Sequence, residues 1–276
     1  MFFNLIEIFL ISTASLSVIV AFSLSRKIAS NEREWNPDQK ILPIAEFKND
    51  GKVFVRNVRN ISYQTLTKYT LNYYDREYDI NKLERVWFIL EPFKEYIGAA
   101  HAFLSFEFDG GVFVSISAEI RKKNGEKYSA QKGLFREFEL MYVIADERDV
   151  IKLRTNHRKN NVFAYPLKIK KEESQKLFLD MLTRANEIGK KPEFYNTLSN
   201  ACATNVIRHI NNNIQKKLSW MDYRIFIPEH LDKYLHNQNL LDTDLPYVTA
   251  REKHRINHLA EKHAEDQDFS LRIRGK

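Results

Sequence analysis

Three residues in this chain have types and spacing that could do chemistry together: its only cysteine, Cys202, with His101 and Glu119. A thiolate attacks a carbonyl and holds the acyl group as a thioester. An imidazole takes and returns the proton, and a carboxylate behind the imidazole fixes its tautomer and stabilises its charged form. One cysteine allows neither an intrachain disulfide nor a cysteine-based zinc site. A lone cysteine is as readily a small buried hydrophobe. In an oxidising compartment, however, a free thiol risks unwanted pairing, so its presence in an exported chain favours a use for it.

The histidine and glutamate are set by the runs His101–Phe108 and Val112–Ile120, which alternate around Asp109-Gly110-Gly111. If paired residue numbers sum to 220, Ala102 faces Ala118, Leu104 faces Ile116, Phe106 faces Val114 and Phe108 faces Val112. The other face then matches Phe103 with Ser117, Ser105 with Ser115, and His101 with Glu119. A slip of one residue sets apolar against polar throughout, so a hairpin with a three-residue loop is expected. Cross-strand neighbours have Cβ atoms about 4.5–5.5 Å apart, close enough for imidazole to meet carboxylate. Such a pair is equally a strand-face ion pair until a nucleophile joins it.

The cysteine is expected in the first turn of a helix beginning near Asn200, with Ser199 or Asn200 as N-cap and Val206, Ile207 and Ile210 on the apolar side. Free amides at a helix start favour a thiolate and can stabilise a tetrahedral oxyanion. A strand histidine with its carboxylate, followed by a cysteine that opens a helix, makes a permuted version of the papain-type arrangement.

Around these elements the sequence predicts further strands at 53–58, 87–90, 138–144 and 162–169. A helix is expected over Glu172–Gly189, where Leu177, Met181, Leu182, Ala185 and Ile188 share a face. Strands followed by helices give an α+β class, expected here as an antiparallel sheet packed with helices. The expected organisation is a transmembrane anchor or signal-like segment at 1–27, a juxtamembrane linker at 28–50, a catalytic domain at 51–249 and a charged C-terminal tail at 250–276.

The composition is that of a globular protein: 43% hydrophobic and 29% charged over 276 residues, without a low-complexity tract. A net charge of +7 suits anionic lipid headgroups. Acidic residues are interspersed throughout, and no nucleic-acid signature is present, so no nucleic-acid partner is expected. Residues 2–25 form an apolar run long enough to cross a bilayer, with no Lys or Arg before Arg26. An uncleaved anchor in a bacterial inner membrane is expected, with the body in the periplasm. Arg26 and Lys27 pull the other way, but two charges are a weak vote.

The segments NVRN (57–60), YYDREYD (73–79), GAAHAFLSFEF (98–108), the run from Ser115 to Asn156, PEFYNTLSNACATN (192–205) and LDTDLP (241–246), with the ending FSLRIRGK, resemble the Lnb N-terminal periplasmic domain family. The resemblance runs from about Trp35 to the end. It implies a circularly permuted relative of NlpC-type and papain-like thiol enzymes. It also implies the activity of a lipoprotein N-acyltransferase, with a phospholipid or lipoprotein substrate and no cofactor. By position, its nucleophile falls on Cys202, its histidine on His101 and its acidic residue on Glu119. The sequence departs at Ala201 and Ala203, where the family pattern carries Asn and Thr, and this bears on oxyanion contacts and substrate choice. Asn200, Thr204, Asn205, Tyr195, Arg121 and Glu137 are the expected supporting or substrate-binding residues.

Other candidates are weaker. His254, His258 and His263 are close in sequence, but no fourth ligand accompanies them, so no metal site is expected. Glu137, Glu139, Asp146 and Glu147 are expected mostly as solvated or paired with Arg136, Arg148 and Arg154. Tyr142 is expected to pack. The same three residues would also serve a thiol amidase or peptidase acting on cell-wall peptide, and the fold alone would serve a non-enzymatic envelope protein.

Overall fold

Alternating β-branched and aromatic residues build the eight-stranded sheet at the centre of this chain, seen in a computed structural model that describes residues 26–276 and, before them, Asn4, Glu7, Phe9, Leu10, Ser12 and Thr13. The strands are β1 (Ile44–Phe47), β2 (Lys52–Arg59), β3 (Ser62–Tyr63), β4 (Tyr69–Thr70), β5 (Tyr73–Asp79), β6 (Leu83–Pro92), β7 (Ala100–Phe108), β8 (Val112–Arg121), β9 (Glu139–Ala145) and β10 (Phe163–Pro166). Spatial order in the main sheet is β1-β2-β9-β8-β7-β6-β10, with β5 also on β2, while β3 and β4 pair apart from it. The sheet is mixed rather than antiparallel, because Arg59 of β2 meets Ala145 of β9 in parallel sense. The hairpin has the expected register, from Leu104↔Ile116 to Phe108↔Val112.

Both faces of the central strands are covered. Against one lie α3 (Lys171–Lys190) and α4 (Cys202–Asn213), which bury Leu177, Phe178, Met181, Val206 and Ile210 on Leu104, Phe106, Ile116 and Tyr142. The other face carries Trp87, Phe103, Phe113 and Met141. It is covered by α2 (Glu147–Lys152) and by the C-terminal helices, through Ile256, Ala260, Phe269 and Ile273. Burying a side chain of this size is worth about 1.5–3 kcal/mol, so the stacked layers dominate stability. Shorter helices are α1 (Ala130–Leu134), α5 (Leu231–Asn237), α6 (Tyr247–Lys253), α7 (Asn257–Lys262) and α8 (Phe269–Arg272).

Three expectations are corrected. The expected transmembrane helix over residues 2–25 falls almost wholly outside the described residues. Among the described residues no helix is long and apolar enough to cross a membrane, so the fold class is α+β without that helix as a shown element.

Residues 28–50 are not a linker. Trp35 is buried with the Arg121 guanidinium 4.2 Å from its ring, and Gln39 bridges Ile120 and Lys122 by side-chain hydrogen bonds of 3.1 and 2.7 Å. Strand β1 then pairs with β2. Composition reads these residues as polar; their partners on β8 are invisible to it.

Nor is 250–276 a frayed tail. Ile256, Ala260, Phe269 and Ile273 reach the core, and the Arg274 side chain is buried against Glu147 with Nη1–Oε2 and Nη2–Oε1 distances of 2.8 and 2.5 Å.

Candidate active site

The site lies where the sheet splits. Strand β7 pairs with β6 along its whole length, up to Pro92↔Ala100, but its ladder with β8 ends at Leu104↔Ile116. Beyond that point β8 continues on β9 alone, to Arg121↔Glu139. The freed edge of β7, Ala100 to Phe103, receives the start of α4. Cys202 is the first residue of that helix, and its Sγ lies 3.7 Å from the Ala100 carbonyl oxygen.

The imidazole of His101 serves both sides of this opening. Its Nε2 is 2.7 Å from Ser117 Oγ and 3.4 Å from Glu119 Oε1. Its ring also lies close enough to the Cys202 thiol for each group to shift the other's titration. His101 and Glu119 therefore meet as the hairpin register predicts, although through side chains beyond the end of the ladder.

The electrostatics favour a charged pair. Burial disfavours the thiolate, but the His101 imidazolium and the amides of Ala102 and Ala203 outweigh it, lowering the Cys202 pKa. Burial likewise pulls His101 down. The thiolate and Glu119 outweigh it, and the imidazole is raised to about 9. Glu119, despite its burial, is held well below the usual carboxylate range by the His101 hydrogen bond and by the Arg154 charge.

Arg154 was not anticipated in this role. It sits in a π-helical turn, Leu153–His157, which directly follows α2. Its Nη2 is 2.9 Å from Glu119 Oε1, its Nε is 2.8 Å from Glu91 Oε2, and its guanidinium lies 5.0 Å from the Phe103 ring. Glu91, fully buried, also accepts from Asn160 at 2.9 Å. π-turns of this kind are common at functional sites, but no sequence signal marks this one.

A cavity of about 260 Å³ opens onto Cys202. Phe93, Tyr96, Tyr128 and Tyr195 give it an aromatic wall, and Arg154, Arg158 and Asn160 a polar end. Tyr195 and Tyr128 have pKa values raised by burial and then by the thiolate, so both hydroxyls stay protonated and able to donate.

The supporting residues fall into three groups. Tyr195 lines the cavity. Asn200, Thr204 and Asn205 hold the loop before Cys202 instead of touching the cavity. Thr204 Oγ1 accepts from the Ala201 amide at 2.8 Å and donates to the Ala201 carbonyl at 3.0 Å, which replaces the cap expected from Ser199 or Asn200. Asn205 Nδ2 donates to Ala201 O at 2.8 Å and to Asn200 Oδ1 at 3.0 Å. Its Oδ1 accepts from Tyr142 at 3.2 Å, and beyond Tyr142 stand His209 Nε2 at 2.7 Å and Asp180, 2.8 Å from His209 Nδ1. Tyr142 is thus part of a buried hydrogen-bond chain as well as a packing residue.

Arg121 and Glu137 are corrected. Arg121 is a strut for the N-terminal segment, donating to Gln39 O, Lys40 O and Asn31 Oδ1 at 3.0, 2.7 and 2.9 Å. Glu137 pairs with Lys27 at a separate surface depression. The other acids are also structural: Glu139 pairs with Arg33 at 2.5 Å, and Asp146 caps α2 through the Arg148 amide at 2.9 Å. His254 faces the Ala164 carbonyl at 3.0 Å and His263 faces Asp266 at 2.6 Å, so each has a partner of its own.

Set against known proteins, residues 69–234 match the family model described as the Lnb N-terminal periplasmic domain. That span contains Cys202, His101, Glu119 and Arg154. No curated protein and no solved structure matches the chain.

Proposed function

The chain belongs to the Lnb N-terminal periplasmic domain family, and from that premise we propose that it is a periplasmic thiol acyltransferase carrying its acyl group as a thioester on Cys202. The observation that supports this reading most is the His101 imidazole held between the Cys202 thiol and Glu119 at the mouth of an aromatic-walled cavity. In the first half-reaction the thiolate attacks the carbonyl carbon of a lipid ester. The tetrahedral intermediate collapses, the ester C–O bond breaks, and the His101 imidazolium gives its proton to the departing alcohol oxygen. In the second, an amine attacks the thioester, His101 takes the amine proton, and the C–S bond breaks to return the thiolate. The amide is the product. Glu119 keeps the ring oriented through both steps, and Arg154 keeps Glu119 ionised.

The lipoprotein N-acyltransferase resemblance points to a phospholipid donor and an N-terminal lipoprotein amine as acceptor. The aromatic wall fits an acyl chain better than a charged cell-wall peptide. The test is to incubate the protein with phospholipid vesicles and a diacylated lipopeptide bearing a free N-terminal cysteine. One added acyl chain on the peptide amine, absent with Cys202→Ala, is expected. Release of free fatty acid without acylated peptide would assign the same residues to a hydrolase instead.

A further inference from the structure

The loop over the cavity carries an unusual surface. Phe93 and Tyr96, which line the cavity, belong to the β6–β7 connection. At its tip Ile97 is fully exposed. Gly98 follows in the left-handed region, φ +82, where a Cβ would come within 2.6 Å of the Ile227 side chain. The bare backbone therefore abuts a second segment, and hydrogen bonds of 2.7 Å from the Gly98 amide to Glu229 Oε2 and 3.2 Å from the Glu229 amide to Gly98 O fasten it there. That second segment, Trp220 to Ile227, exposes Trp220, Met221, Tyr223, Phe226 and Ile227, with Met221 at 92%. Two loops far apart in sequence thus meet at Gly98 and Ile227, each with exposed apolar side chains, and the first of them, through Phe93 and Tyr96, also lines the Cys202 cavity.

We propose that this surface, Tyr96–Ile97 with Trp220–Ile227, docks on a lipid bilayer and so brings the acyl group of a membrane lipid to the mouth of the cavity. The proposal deepens the acyltransferase reading and rests on it for its purpose. Apolar patches of this extent on a single chain mark interaction sites. Aromatic rings mixed with long aliphatic side chains are the composition that settles at a headgroup boundary. Lys94, Lys216 and Lys217, close in sequence to these loops, are exposed, as is the acid Glu95, while Asp222 is half-buried, and the chain's net charge of +7 complements an anionic leaflet. Continuity with the cavity argues for the lipid as occupant: Tyr96 belongs to both surfaces, so a chain drawn from the bilayer passes from one to the other without crossing water.

Fluorescence reads this directly, because Trp35 and Trp87 are buried while Trp220 is exposed. Full-length protein is titrated with vesicles of phosphatidylethanolamine and phosphatidylglycerol in equal parts. A blue shift of Trp220 emission and co-sedimentation with the vesicles are expected. Replacing both Ile97→Glu and Met221→Glu, at positions whose side chains are not packed in the core, lowers partitioning by about a hundredfold while leaving the far-ultraviolet spectrum intact. Cys202→Ser partitions like the wild type, so failure of the acyltransferase chemistry and failure of docking are read separately. The proposal is overturned if the Trp220 emission does not move, or if the double variant partitions unchanged, as it would if the apolar run at residues 2–25 did the binding. It is also overturned if the patch proves to join two copies of the chain, seen as a dimer by ultracentrifugation that the double variant abolishes.

Discussion

Nε2 of His101 stands 3.4 Å from Oε1 of Glu119, and that same carboxylate oxygen lies 2.9 Å from Nη2 of Arg154. The histidine that faces the thiol is therefore the outermost member of a buried charge series, Glu91–Arg154–Glu119–His101, which runs from the π-turn to the split between β7 and β8. Orientation and charge of the imidazole both depend on it.

Thiol reactivity follows from that arrangement. With the Cys202 pKa lowered and the His101 pKa raised to about 9, the thiolate forms below the ordinary thiol pKa, and the imidazolium persists until pH rises through about 9. Alkylation of Cys202 by iodoacetamide, followed across pH, should therefore have its midpoint below that of a free cysteine and no fall on the alkaline side. In His101→Ala the midpoint moves up, and alkylation at pH 7 drops about tenfold for each unit of that movement.

Turnover should respond differently. In the proposed reaction departure of the alcohol needs a proton from His101, so acyl transfer should decline as pH rises through about 9 even though the thiolate remains. His101→Ala should lower turnover by about 10²-fold or more. Glu119→Gln should leave the thiol in place but shift the alkaline limb of the pH–rate profile downward, because the carboxylate that helps raise the His101 pKa is gone.

Arg154 is a stability determinant as well. Arg154→Ala leaves Glu119 with only the His101 imidazolium as ion-pair partner and Glu91 with only Arg158, 3.5 Å away, and breaking such a buried pair costs about 3–5 kcal/mol. Urea denaturation measures the loss, and Arg154→Ala with Glu91→Gln should recover part of it.

The loop that leads into Cys202 should loosen when Thr204 is replaced. Thr204→Val removes both hydrogen bonds to Ala201 at nearly constant volume and should lower stability by about 1 kcal/mol. Proteolysis at 199–202 in the native state would register the loosening. Thr204→Ser, which keeps the hydroxyl, should restore it.

At the C-terminal end, Arg274→Ala leaves Glu147 buried and short of its cation. A loss of about 3–5 kcal/mol by chemical denaturation is expected, far more than a solvated charge at a frayed end would give.

Much of the site was legible before the structure. Strand alternation admits one register for the Gly110 hairpin, and that register brings His101 to Glu119; the helix period and the lone thiol then put Cys202 at a helix start. What escaped is what period and composition cannot carry. The parting of β7 from β8 is a long-range event that exposes the Ala100–Phe103 edge, and nothing in either strand announces it. Arg154 reads as one of three bases paired with the acids between 137 and 147; only the π-turn aims it at Glu119. The polar stretch 28–50 read as a linker, and Arg121 as a supporting or substrate-binding residue. Trp35 and Gln39 in fact pack on it, so that the cation is consumed in holding the chain's N-terminal segment. The same kind of error made a tail of residues 250–276, whose sparse apolar side chains are spaced to reach one core.

The most direct measurement is the intact mass of the protein after exposure to phospholipid vesicles alone, without an amine acceptor. An adduct of one acyl chain is predicted on Cys202, released by neutral hydroxylamine, lost in Cys202→Ser and strongly reduced in His101→Ala. Wild-type protein that stays unmodified under these conditions, or an adduct that survives in Cys202→Ser, would contradict the assignment of Cys202 as the acyl carrier.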